Sequence, residues 1–249
     1  MLGFASLLAA SALHVASLNL CTDEYLLLLA QPREIAGVSR LAQDPAESPP
    51  WREARAYPAN RGAIEQVIGA HPNMLLTMGG GGRSTGAIAA RLGMKVVDLP
   101  YPASIADVAA NMRTVAKALG DGRRADSWMA RLVSLRASPR GSKDAIWVSG
   151  GGTSLAAGSP GAEWMTLAGL KQRRLAGGRA DLETLLVRPP AVLVRSDYRR
   201  GQMSQGVRWF DHPTVRRLQA RTISTDGRAW TCAGPLMLDE IERLRRVIQ

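Results

Sequence analysis

Apolar and polar positions along the chain follow two rhythms. Short apolar runs at residues 14–18, 34–38, 73–77 and 95–99 read as strands. Between them, segments 23–29, 62–70 and 83–92 carry a helical period, with Ile64, Val67 and Ile68 on one face of the second. Residues 39–61 form a Pro-rich connection without a period. Strands that alternate with helices predict an α/β layer with mainly parallel strands. Residues 104–136 differ, because Val108, Met112, Val115 and Leu119 recur at helical spacing and only Gly120-Asp121-Gly122 interrupts the run. A helical stretch this long in mid-chain predicts a spine between two lobes. The alternation then restarts, with strands at 145–149, 191–195 and 221–224, helices at 162–168, 181–187 and 214–220, and an amphipathic helix at 235–247.

The second half echoes the first. Ile64-Glu65-Gln66-Val67-Ile68 before Pro72 can be laid on Leu182-Glu183-Thr184-Leu185-Leu186 before Pro190, and Arg91-Leu92 on Arg217-Leu218. A duplication of this length predicts two similar Rossmann-like lobes, at 14–103 and 138–249, joined by a helical segment at 104–137. Clefts between lobes are where small ligands bind.

Composition narrows the class. The chain has 249 residues, of which 46% are hydrophobic and 21% charged, a globular balance rather than a disordered one. No apolar run reaches the roughly 18 residues of a spanning helix. The formal net charge is +11, carried by 28 Arg and 4 Lys against 21 acidic residues. Residues 1–120 contribute 10 basic and 9 acidic side chains, a net of +1, and residues 121–249 contribute 22 and 12, a net of +10. A basic half can bind nucleic acid, anionic lipid or an anionic small molecule. No helix-turn-helix, zinc-finger or RNP pattern is present, so nucleic acid is not expected as a partner. Residues 1–13 are apolar and small, with Ala10-Ser11-Ala12 as a cleavage-type pattern, and read as the remnant of a secretory signal that lacks its basic start. Leu20 before Cys21 argues against a lipoprotein.

Tests for enzyme chemistry find little. Gly82-Arg83-Ser84-Thr85-Gly86 fits G-x-S-x-G, and a serine hydrolase using Ser84, His212 and Asp197 or Asp211 is the alternative function. The preceding glycines spoil the tight elbow that this motif needs. No phosphate-binding glycine loop is complete, and His14, His71 and His212 share no ligand spacing. No resident cofactor or metal is expected.

Residues 15–24 (VASLNLCTDE) followed by 35–39 (IAGVS) resemble the opening of the periplasmic substrate-binding proteins for iron complexes and cobalamin. Residues 63–77, the LGMKVVD strand at 92–98, the helix start at 105–119 and the loop 225–235 are similar to later parts of that family, in order. The resemblance implies two lobes on a rigid helical connection with small hinge motion. It implies a monomeric periplasmic protein that delivers a ferric siderophore, haem or cobalamin to the permease and ATPase of an ABC importer. It also implies that Glu65 and Glu183, one per lobe, dock on permease arginines. The family's aromatic first-lobe cleft is replaced here by Met78 and glycines, which weighs against cobalamin, and no tyrosine lies at 78–83 to serve haem. The basic second lobe leans toward an anionic ferric chelate.

In open α/β lobes the ligand sits beyond the carboxyl ends of the strands. Those ends carry Asn19, Cys21, Met78, Gly80, Arg83, Gly151, Tyr198, Arg199, Arg200, Arg228 and Trp230. The arginines suit oxyanions, and Tyr198 and Trp230 could stack on a flat ligand. Trp209 is expected to pack internally. Cys21 and Cys232 fall on cleft loops of different lobes and are read as a disulfide, as two free thiols, or as thiolate ligands to haem iron.

Overall fold

A computed structural model describes residues 13–80, 83–138, 141–198 and 208–248. The apolar runs form two wholly parallel sheets. In the first, β1 (Val15–Ser17), β2 (Ile35–Ser39), β3 (Ala59–Asn60), β4 (Met74–Met78) and β5 (Lys95–Leu99) lie in the order β3-β2-β1-β4-β5. In the second, β6 (Lys143–Val148), β7 (Leu170–Gln172), β8 (Val192–Asp197) and β9 (Arg221–Asp226) lie in the order β7-β6-β8-β9. The central strands β1 and β4 are buried along their whole length, as parallel strands covered on both faces must be.

Ten α-helices are described: α1 (Leu20–Leu29), α2 (Trp51–Ala54), α3 (Arg83–Arg91), α4 (Ile105–Leu119), α5 (Arg123–Ala137), α6 (Pro160–Leu167), α7 (Leu182–Val187), α8 (Pro213–Arg216), α9 (Ala229–Cys232) and α10 (Met237–Ile248). The predicted spine is two helices. Gly120 ends α4 at φ 75°, a left-handed cap that glycine adopts without strain, and α5 starts three residues later. The helix expected at 62–70 is instead two 3-10 turns, Ile64–Gln66 and Ile68–Ala70, ended by His71 at φ 47°. Strands β3 and β7, of two and three residues, fall where no strand was expected, since so short a run has no measurable period.

Helix α5 ties the two halves together. Near its start Arg124 donates to the carbonyl of Ala30 behind the first sheet. Further along, Trp128 Nε1 donates to the Pro235 carbonyl at 3.0 Å, and Arg131 pairs with Asp239 and Glu242 on α10. Arg245 of α10, itself buried, donates to Leu135, Leu167 and Ser138 carbonyls at 2.7, 2.6 and 2.9 Å, satisfying the ends of α5 and α6. One apolar cluster runs through Leu26 and Leu29 of α1, Trp128 and Leu132 of α5, and Leu238, Ile241 and Leu244 of α10. A core shared in this way resists wide separation of the lobes.

Candidate ligand cleft

Each sheet has one point where the strand order reverses, between β1 and β4 in the first and between β6 and β8 in the second. Ligands of open parallel sheets bind beyond the strand ends at such points. Asn19, Cys21, Met78 and Gly80 lie at the first, and Gly151 and Tyr198 at the second.

Several of these residues have structural duties. The Asn19 side chain caps α1, accepting the Thr22 N–H at 2.9 Å. Cys21, in the first turn of α1, is bonded to Cys232 at the end of α9, with 5.4 Å between their Cα atoms. The disulfide is therefore the outcome among the three readings of these cysteines. It staples the lobes beside the cleft, and neither sulfur is free to ligate iron. Met78 is buried at the end of β4. The Gly151 carbonyl accepts from Arg179.

The turn after β4 is clamped. Asp98 accepts Thr77 Oγ1 at 2.6 Å and the Gly80 N–H at 2.9 Å. Gly79 adopts φ 74°, and a Cβ there would sit 2.1 Å from the ring of Tyr101. Tyr101 is 70% exposed, so a rigid turn displays one aromatic ring at the carboxyl end of the first sheet. No tyrosine lies at 78–83, but this one arrives at the same sheet end from the neighbouring strand β5. Its signal was an aromatic residue two positions past a parallel strand.

Trp230 is a correction. Its indole is buried, donates to Thr225 Oγ1 at 2.8 Å, and packs at 5.5 Å on Trp147. It packs against the second sheet and presents no open ring face for stacking on a ligand. Trp209 packs against Phe210 at 5.3 Å, as expected. The Arg83 side chain, Arg199 and Arg200 lie outside the described residues, as does the signal-like segment 1–12. Arg228 is engaged on both sides. It pairs with Asp226 at 2.6 Å and donates through Nη1 to the carbonyls of Pro45 and Ser48 at 2.8 and 3.2 Å. Beside it the Tyr198 hydroxyl meets the Glu47 carboxylate. Thus loop 40–50, which had no readable period, crosses from the first sheet to the second.

Two acids are buried in α1. Asp23 accepts the Ser39 N–H at 3.0 Å and its hydroxyl at 2.5 Å, and burial pushes its carboxyl up to about 7 against these bonds. Glu24 rises to about 8, chiefly by burial, with the Asp23 charge adding to it and the Leu236 N–H opposing. Its Oε2 has no hydrogen-bond partner among the described residues, and only the missing side chain of Gly234 makes room for it.

The serine–histidine reading finds no support in this geometry. Ser84 is exposed in the first turn of α3, without a strained elbow. His212 Nδ1 accepts the Thr214 N–H and caps α8, and Asp197 pairs with Arg195. No cluster of His, Cys, Asp and Glu among the described residues could hold a metal ion, and none of the described helices is long and apolar enough to cross a membrane. Glu65 and Glu183 are both exposed, each in the first turn of a short helical segment ahead of a strand. One turn beyond Glu183, Leu186 lines a groove of about 410 Å³ between α7 and α8.

Comparison with known proteins agrees with this geometry. Residues 15–138 match the family model described as periplasmic binding protein. No curated protein sequence matches the chain. Among solved structures, the periplasmic heme-binding protein HutB of Vibrio cholerae superposes with a TM-score of 0.72 at 14% identity, covering 96% of this chain and 99% of that one. The siderophore-binding protein BauB, bound to two acinetobactin molecules and ferric iron, gives 0.70 at 18% identity over 95% and 92%. The periplasmic vitamin B12-binding protein BtuF of Vibrio cholerae gives 0.61 at 18% identity over 94% and 95%. At these identities the likeness is one of fold.

Proposed function

We propose, for a chain that belongs through residues 15–138 to the periplasmic binding protein family, that it carries an iron chelate, haem or a corrinoid between its lobes and delivers it to an ABC importer. The observation that carries this reading is a strand-order reversal in each sheet, with loop 40–50 of the first lobe bonded to Tyr198 and Arg228 at the strand ends of the second. The reading takes 14–103 and 138–249 as the two lobes and 104–137 as their connection. A disulfide between lobes suits an exported protein in an oxidising compartment. The basic second half favours an anionic ferric siderophore or haem over cobalamin, and the displayed Tyr101 can stack on any of these flat or aryl-bearing ligands.

Glu65 and Glu183 are the docking points for the permease, where basic side chains would set orientation and on-rate more than affinity. One experiment covers both steps. Tryptophan quenching is titrated with haemin, a ferric tris-catecholate, a ferric trihydroxamate and cyanocobalamin. Saturable binding of one class at micromolar or tighter affinity is expected. The double variant Glu65→Lys, Glu183→Lys should keep that titration while losing ligand uptake in cells carrying the importer. No binding of any probe by folded protein contradicts the ligand reading, and unimpaired uptake by the variant contradicts the docking points.

A further inference from the structure

Loop 40–50 is a folded object rather than a loose strap. The Ala46 N–H binds Asp44 Oδ1 at 2.7 Å, the Ser48 N–H binds the Asp44 carbonyl at 3.0 Å, and Gln43 Nε2 binds the Tyr57 carbonyl at 2.7 Å. Glu47 and Ser48 are buried, although they sit in a polar connection. Toward the second lobe the loop presents oxygens: the Glu47 carboxylate and the carbonyls of Pro45 and Ser48. Toward the loop the second lobe presents donors: the Tyr198 hydroxyl at the end of β8 and the Arg228 guanidinium just past β9. Arg228 directs Nε and Nη2 to Asp226 in its own lobe, so Nη1 is the nitrogen that faces across the crevice.

We infer that this loop is a built-in competitor for the ligand: Glu47, Pro45 and Ser48 occupy, with their own oxygens, the donors that an oxyanion-bearing ligand takes over on Tyr198 and Arg228. The inference rests on the cleft reading above and names the ligand class within it, a chelate bearing carboxylate, catecholate or comparable anionic oxygens. Exchange favours such a ligand. Arg228 trades neutral carbonyls for a charged acceptor, which adds Coulomb attraction to bonds already assisted by the guanidinium charge. Tyr198 trades one anionic oxygen for another. An uncharged ligand must break the same contacts and gains no charged acceptor, so the loop discriminates against it by difference. The disulfide at Cys21–Cys232 and the shared core hold the lobes together elsewhere. Exchange is thereby confined to this side of the crevice.

The test uses the full chain with its disulfide intact and the variant Glu47→Gln, which keeps shape and removes charge. Haemin and a ferric tris-catecholate are the anionic probes; a ferric trihydroxamate and cyanocobalamin are the uncharged ones. Glu47→Gln is expected to bind the anionic probe roughly fivefold tighter than wild type, the equivalent of weakening one charge-assisted contact, and an uncharged probe, which must break the same contact, should gain by a similar factor. Adding Tyr198→Phe in that background should weaken the anionic probe again by a similar factor. Glu47→Ser, too short to reach Tyr198, should act in the same direction as Glu47→Gln and serves if the first variant folds poorly. Unchanged or weaker anion binding in both Glu47 variants overturns the competitor, and an equal loss for uncharged probes on adding Tyr198→Phe overturns the anionic ligand class. Failure of wild type and variants to bind any of the four probes overturns the cleft reading as well.

Discussion

Replacing Cys232 by serine, or reducing the disulfide with a dithiol, is expected to lower the thermal unfolding midpoint by roughly 10–20 °C. The bond joins residues 211 apart in sequence, so it closes nearly the whole chain into one loop. By loop-closure entropy a link of this span removes about 5 kcal/mol of freedom from the unfolded chain. It also holds the start of α1 against the 232–236 segment, which Trp128 and Trp164 grip through Pro235 and Ala233 carbonyls, each at 3.0 Å. These grips and the shared core remain after reduction, so the variant should still fold. Circular dichroism melts with and without dithiol measure the difference. A midpoint that does not move would mean that the lobes are held by the core alone.

Stability should fall as pH rises from about 5 to 9, because of Glu24. Its folded-state pKa of about 8 lies above the ordinary 4.5, since burial disfavours the carboxylate. Below the ordinary value both folded and unfolded chains hold the proton, and the burial of charge costs nothing. Above it the unfolded chain releases the proton first while the folded chain retains it, so folding weakens progressively until about pH 8 is passed. The full cost for a shift of this size is about 5 kcal/mol at most. Asp23 shifts in the same direction, to about 7, but keeps bonds from Ser39 that favour its charged form. Glu24, with one oxygen unpaired, therefore carries more of the slope. Glu24→Gln should match wild type near pH 5 and exceed it at pH 9 by roughly 2–4 kcal/mol in urea unfolding. Parallel stability curves for the two proteins would contradict a buried neutral Glu24.

The sequence pattern was sufficient for the elements that carry a period or a long apolar run. β1, β4, β6 and β8 each pair on both sides, and their positions were readable from residues alone. The edge strands β3 and β7 were not, because two or three residues cannot show alternation. The turns at Ile64–Gln66 and Ile68–Ala70 read as one helix because 3-10 and α spacing are alike over so few residues. The cleft was legible as a set of strand ends and illegible as a set of contacts. Trp230 occupies a predicted cleft loop, yet its indole is taken up by Thr225 of β9 and Trp147 of β6. Arg228 was expected as free positive lining and instead spans Asp226 and loop 40–50. Glu47 gave no signal, since its partner Tyr198 lies 151 residues further along the chain. The cysteine pairing likewise depended on a Cα approach of 5.4 Å that only the fold determines.

The central claim is that one ligand is held by both lobes at their strand ends. A crystal structure of the protein with the tightest-binding probe tests it most directly. The account predicts the ligand within about 4 Å of Tyr101 or the Met78–Gly80 turn on one side and of Tyr198 or the Gly150–Gly152 turn on the other. A ligand seated on a single lobe, or outside the crevice in the groove between α7 and α8, would contradict it.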